Sequence, residues 1–200
     1  MRAEVIGCIL LLLLLVLPTV EARLDDSRSS IGRRAVAEGV PGAASLFAYD
    51  SSDSTVAKSL AWASFACLRN STTCSILVTW KKRILLARGA FPESCKPAAR
   101  SKVSTSELER AFGEVIPPKL LSSMPEDGLY MPTRQVLRDQ GLEAAGFLCE
   151  GIRSAFVVPL GNDRSGCMVV LSDFERSLGV KDRSWLLSLS RNVQLACAEL

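Results

Sequence analysis

The sequence predicts an α+β fold: an antiparallel sheet with flanking helices, preceded by one apolar membrane or signal helix. Two observations carry the fold class. Paired short apolar runs joined by a polar turn occur twice, "CSILVTW", "KK", "RILLARG" and then "RSAFVVPL", "GNDRSG", "CMVVLSD", and such pairs read as β-hairpins. Each hairpin adjoins a stretch with helical spacing of its apolar residues. Helices packed on hairpins make an α+β domain. The expected division is 1–22 membrane anchor or signal peptide, 23–53 linker and 54–200 α+β domain.

The apolar run extends from Val5 to Val20, broken by Gly7 and Pro18. As a helix it spans about 24 Å at about 1.5 Å per residue, short of the roughly 30 Å of a bilayer core. Arg2 supplies a positive start, and Val20-Glu21-Ala22 resembles a cleavage site. On local pattern alone this is a signal peptide. Residues 23–54 are rich in Arg, Ser, Asp, Gly and Ala without a sustained period, which predicts a linker or processing segment.

From Ser54 the pattern tightens. Val56, Leu60, Ser64, Cys67 and Leu68 recur near a spacing of 3.6, with Ser54 as an N-cap. The first hairpin follows. Its Lys81-Lys82 turn lacks Asn-Gly, which leaves the turn type open. "FPESCKPAARSK" reads as a loop broken by Pro92 and Pro97. Ser104 and Glu107 offer a capping box for a short helix, which Pro117 and Pro118 end. After the loop "SSMPEDG", "LYM" forms a short strand and Pro132 to Gly141 a weak helix. The second hairpin leads to a terminal amphipathic helix marked by Trp185, Leu186, Leu189, Val193, Leu195, Ala196 and Leu200.

Composition excludes several chemistries. The chain has 200 residues, a formal charge of +3 and no histidine. Ser-His-Asp and Cys-His catalysis, and axial histidine ligation of haem by this chain, are therefore excluded. No basic stripe with interleaved aromatics points to nucleic acid. The seven cysteines are Cys8, Cys67, Cys74, Cys95, Cys149, Cys167 and Cys197, with no C-x-x-C pair, so zinc ribbons and thioredoxin-like sites find no motif. Six would remain after cleavage of the leader, compatible with disulfides in a secreted protein. The simpler reading places Cys67, Cys167 and Cys197 on apolar faces as small hydrophobes.

Local motifs add little chemistry. "GNDRSG" spaces Gly161 and Gly166 like a phosphate loop, but Cys167-Met168 stand where Lys-Ser/Thr is needed; it reads as a hairpin turn. "WKKR", Trp80 to Arg83, is either a tip that touches acidic lipid head groups or a solubilising hairpin end. Asn70-Ser71-Thr72 is a glycosylation sequon, meaningful only in the secretory lumen, and Asn70 also suits a helix end. Asp173, Glu175 and Asp182 surround the last turn, with Asp182 best placed to cap the final helix. No carboxylate pair stands out, so no catalytic or metal-binding residue is assigned, cofactor contacts are left open, and the chain reads as a non-enzyme.

The ordered motifs carry a resemblance. "AFVVPLGNDRSGCMVVLSD" followed by "DRSWLLSLSRNVQ" resembles the closing half of a GAF-like sensor domain. The whole order is similar to the cofactor assembly of complex C (CCB) family of plants, algae and cyanobacteria. The features are "SLAWASFACL" with Trp62, "SILVTWKKRILLARGA", "VVPLG" with Pro159 to Gly161, "CMVVLSDFERSL" with Arg176, and "KDRSWLLSLS" with Asp182 and Trp185. They cover most of Ser59 to Ala196. The start "MRAEVIG" also resembles the family's second membrane helix, through Arg2, Ala3, Glu4 and Gly7. That favours a retained anchor, with Met1 marking an incomplete N-terminus and a first membrane helix missing upstream. "RLDD" and "GIRS" depart from the family pattern.

The resemblance implies a chloroplast assembly factor, anchored in the thylakoid membrane with its soluble domain on the stromal side. Such factors help attach the extra haem to cytochrome b6 during biogenesis of the photosynthetic cytochrome b6f complex. It implies a paralogous assembly protein of the same family, apocytochrome b6 and membrane lipid as partners, no nucleic acid, and no permanently bound cofactor beyond a transient contact with haem. Two other classes stay open at this point: a secreted or endomembrane α+β binding protein, and a GAF-type small-molecule sensor.

Overall fold

The computed structural model describes residue 40 and residues 43–50, 54–95, 102–103, 105–113, 116–161 and 163–198. The apolar segment 1–22, the first part of the expected linker, Ser104 of the expected capping box and Leu200 lie outside the described residues. Among the described residues no helix is long and apolar enough to cross a membrane.

Both expected hairpins are present. β2 (Ser75–Trp80) pairs with β3 (Arg83–Pro92), and β6 (Ser154–Leu160) pairs with β7 (Gly166–Ser172). They join into one sheet because β2 and β7 run antiparallel, from Ser75 opposite Leu171 to Trp80 opposite Gly166. Lys81 and Lys82 both take positive φ, 49° and 66°, as a type I′ turn requires at its two central positions. The short β5 (Leu129–Met131) closes one edge against β6.

The other edge differs from expectation. Part of the expected 23–53 linker is β1 (Ala43–Asp50), which pairs antiparallel with β3 from Ala43 opposite Pro92 to Tyr49 opposite Leu86. Phe91 and Pro92 accordingly belong to β3, not to a loop, and a 3₁₀ turn over Glu93–Cys95 follows. The two-residue β4 (Lys102–Val103) then pairs parallel to β1, so the sheet is antiparallel except at this edge. The strand order is β4-β1-β3-β2-β7-β6-β5.

Helices cover both faces. α1 (Ser54–Asn70) and α5 (Val180–Cys197) are the two long ones, as the apolar spacing predicts, and they pack side by side over one face. Asp182 caps α5: its Oδ2 accepts the Gly179 N–H at 2.8 Å. The opposite face carries α2 (Thr105–Phe112), α3 (Pro118–Ser123) and α4 (Arg134–Asp139). α2 ends at Phe112, with Gly113 at φ 62° behind it. Pro118 opens α3 instead of closing α2, because proline at a helix start forfeits no intrahelical donor. Thr133 caps α4.

Because both faces are covered, the central strands are apolar in continuous runs, not in alternation with polar residues. In β7 Cys167, Val169 and Leu171 face α2–α4, and Met168 and Val170 face α1 and α5. The pairing of β2 with β3 slips by one residue between Val78 and Thr79, so Leu85 and Leu86 both pack on the α1–α5 side while Ile84 and Ala87 pack on the other. A one-residue bulge has this effect on the alternation of a strand.

Candidate docking face

α1 buries Val56, Leu60, Ala63, Ser64 and Cys67 against the sheet. Lys58, Trp62, Phe65 and Arg69, spaced 4, 3 and 4, lie on its outer side, the spacing of one helical stripe. Trp62 is 60% exposed and Phe65 47%. On α5, Leu186, Leu189, Val193 and Cys197 are buried, whereas Leu195, expected on the apolar face, is 69% exposed. It falls out of phase with the Leu189–Val193–Cys197 row. Over α1 and α5 the charged residues are Lys58, Arg69, Lys181, Arg183 and Arg191 against the single carboxylate Asp182. These two helices thus hold more net positive charge than the whole chain, +3. An exposed tryptophan and phenylalanine on a basic helical layer form a docking face.

Two grooves indent this layer. One, of about 430 Å³, runs between the helices and is lined by Lys58, Ser59, Trp62, Ala63, Asn192 and Val193. The other, of about 340 Å³, lies between α1 and strands β1 and β3, with Phe47, Phe65, Arg69 and Arg88 in its wall. Arg88 is the cross-strand partner of Phe47, and its guanidinium stands 4.7 Å from the Phe47 ring centroid and 5.6 Å from that of Phe65. Its Nη1 donates to the Ala61 carbonyl and Ser64 Oγ, both at 3.3 Å, which ties α1 to β3. Burial lowers the Arg88 pKa from its ordinary value, because desolvation disfavours the charged form.

The other singled-out residues have local jobs. Trp80 is buried, so the "WKKR" tip presents Lys81, Lys82 and Arg83 without their aromatic neighbour. "GNDRSG" is a hairpin turn with Gly161 at φ 81°. The Arg176 backbone N–H donates to the Pro132 carbonyl at 2.8 Å, and Trp185 packs partly buried against the α1–α5 side of the core. α1 ends at Asn70, where Ser71 Oγ donates to the Cys67 carbonyl at 2.6 Å. Asp173 and Asp182 form no pair; burial raises the Asp173 pKa. Of the residues that carry the family pattern, Trp62 is the large one left facing solvent.

Cys67, Cys74, Cys95, Cys149, Cys167 and Cys197 are all buried free thiols, the simpler of the two expectations. Burial pushes Cys74 and Cys167 up to about 12, and Cys67, Cys149 and Cys197 to about 11. Among the described residues no group of three or more His, Cys, Asp or Glu side chains could hold a metal ion.

Sequence reasoning missed Phe65, Phe47 and Arg88. Phe65 was open to detection, because it is out of phase with Leu60, Ser64 and Cys67. Phe47 and Arg88 meet only through the β1–β3 pairing.

Fold and face together define an α+β module whose long helices present a basic, aromatic surface. The chain belongs to the CCB2/CCB4 family of cofactor assembly of complex C proteins, whose model matches residues 1–193. No curated protein matches it. Two solved structures are similar. The type II free methionine-R-sulfoxide reductase from Thermoplasma acidophilum shares 13% identity over 74% of this chain and 97% of that chain, TM-score 0.45. The GAF domain from Acinetobacter phosphoenolpyruvate-protein phosphotransferase shares 19% over 85% of this chain and 92% of that chain, TM-score 0.45.

Proposed function

We propose that this chain is a non-catalytic assembly factor of the thylakoid membrane. On this reading its domain, GAF-like and on the stromal side, helps attach the extra haem to cytochrome b6 during cytochrome b6f biogenesis. The observation that carries the reading is the family match running from residue 1 to 193, which takes in both the apolar start and the α+β domain. A chain without histidine supplies surface and positioning, with at most transient contact with haem.

The docking face gives this role a physical form. Trp62 and Phe65 are large apolar groups that gain most when water is excluded around them. The cations of α1 and α5 favour an acidic counterpart and speed its approach. A second protein of the same family is the occupant assigned to Trp62 and the groove between the helices, with apocytochrome b6 held by the pair. The test is disruption of the gene in a photosynthetic host, followed by haem staining of cytochrome b6. Loss of covalently bound haem, restored by the intact gene, is expected. Normal covalent haem overturns the reading.

A further inference from the structure

The groove between α1 and β1–β3 has features that docking of a protein surface does not use. Its floor is apolar, from Leu46, Phe47, Phe65 and Leu68. Its rim holds two guanidiniums, Arg69 and Arg88, each 5.6 Å from the centroid of the same Phe65 ring. Among the described residues no carboxylate pairs with either. Arg88 spends only Nη1 on hydrogen bonds, which leaves the N–H groups of Nε and Nη2, and Arg69 donates to no acceptor among the described residues.

Two like charges against one ring, half-withdrawn from water and without a counter-ion, are unfavourable alone. An anion between them removes that cost. Guanidinium forks match the planar, two-oxygen geometry of a carboxylate. The aromatic floor gives a flat apolar body its contact. A cavity of about 340 Å³ is at the small-ligand end of binding sites, which start at about 300 Å³.

We propose that this groove binds an organic carboxylate, with its flat apolar body on Phe47 and Phe65 and its two oxygens held by Arg69 and Arg88. The ligand is a small molecule of that class, so the site is separate from the partner surface around Trp62 and does not depend on the assembly role.

The test uses the full chain in neutral phosphatidylcholine nanodiscs, with 1-naphthoate as probe and saturation-transfer NMR as readout. Binding above that of empty discs is expected, with Kd below about 1 mM. The neutral isostere 1-naphthamide should bind about tenfold more weakly or worse, as should naphthoate to Arg69→Gln, since a lost charge-assisted hydrogen bond is worth about that factor. Arg69 is exposed, so the variant folds, and Lys58→Gln, outside this groove, should bind as the parent does. Equal binding of naphthoate and naphthamide, unchanged binding by Arg69→Gln, or no signal above empty discs overturns the proposal. Displacement of naphthoate by excess inorganic phosphate also overturns it, because the site would then be a general anion site.

Discussion

Gly89 lies so close to Cys74 that a Cβ at residue 89 would stand 2.1 Å from the Cys74 carbonyl oxygen. Gly89 is opposite Leu46 on β1 and opposite Ser75 on β2, and its φ of 117° is one that side chains rarely adopt. The neighbouring Ala90 N–H donates to that same Cys74 carbonyl, and Ser75 Oγ donates to the Ala90 carbonyl at 2.6 Å. The contact is therefore with fixed backbone. Gly89→Ala should destabilise the domain by at least about 2 kcal/mol, since strain and clash act together. Urea unfolding measures this as a lower midpoint with an unchanged slope.

Arg134 fastens the segment after α4. Its Nε lies 2.9 Å from Glu143 Oε1, and its Nη1 donates to the carbonyls of Cys149, Glu150 and Ile152. Glu143 also accepts from Arg138, the larger of the two causes that hold its carboxyl down to about 2, Arg134 being the second. The folded value is below the ordinary 4.5, so the folded state binds protons less readily than the unfolded one. The resulting stabilisation is fully present above about 4.5 and is lost as pH falls through about 2. The stability of Glu143→Gln should therefore fall less steeply with acidification across that window, read from urea midpoints at successive pH values. Arg134→Ala should cost roughly 2–3 kcal/mol at neutral pH, because buried carbonyls lose a charged donor.

The six buried cysteines make a prediction at the alkaline end. Burial raises Cys67, Cys74, Cys149, Cys167 and Cys197 to between about 11 and about 12 from an ordinary 9.0. The thiolate is the reactive form, so N-ethylmaleimide at about pH 8 should leave all six unlabelled in the folded protein, as seen by peptide mass spectrometry. All six should label in denaturant. The folded state keeps these protons above 9 while the unfolded state loses them, so stability should fall as pH rises beyond about 9. Labelling of Cys74 or Cys167, whose thiol lies 3.0 Å from Thr79 Oγ1, in the folded protein would contradict their placement.

The hairpins and both long helices were legible because their signals are local. "SILVTW" and "RILLAR" are short apolar runs across a two-residue turn, and α1 spans Ser54–Asn70 as its apolar spacing predicts. β1 was not legible. "AASLFAYD" has only Leu46 to Tyr49 as an apolar stretch, in a region rich in Ser, Asp and Gly, and it is a strand because β3 offers an edge. β4 is two residues long and depends on the return of the chain to β1. The same non-local pairing brings Arg88 to Phe47, which is why that part of the site was hidden in the sequence. Trp80 shows the converse error. Beside three cations it looked like part of a surface tip, but it ends a central strand opposite Gly166 and is buried there.

Trp62 and Leu60 separate docking from folding on a single helix. Leu60 is 2% exposed and packs beneath α1, so Leu60→Ala should cost about 2–5 kcal/mol through the lost methyl groups and the cavity they leave. Trp62 sits two residues on, about 200° around the helix axis at about 100° per residue, and is mostly in solvent. Trp62→Ser should therefore change the urea midpoint by no more than about 0.5 kcal/mol of stability. If the outer stripe of α1 seats the second family member, the same substitution removes a central aromatic anchor, a loss of at least about 2 kcal/mol in binding. Co-purification of the two proteins should fall by at least about tenfold, with covalent haem on cytochrome b6 reduced in the same host. Ser188, exposed on α5 and remote in helical phase from the buried row, supplies the control: Ser188→Ala should change neither folding nor pairing. Full pairing by Trp62→Ser would move the docking face away from α1 and leave the family assignment untouched.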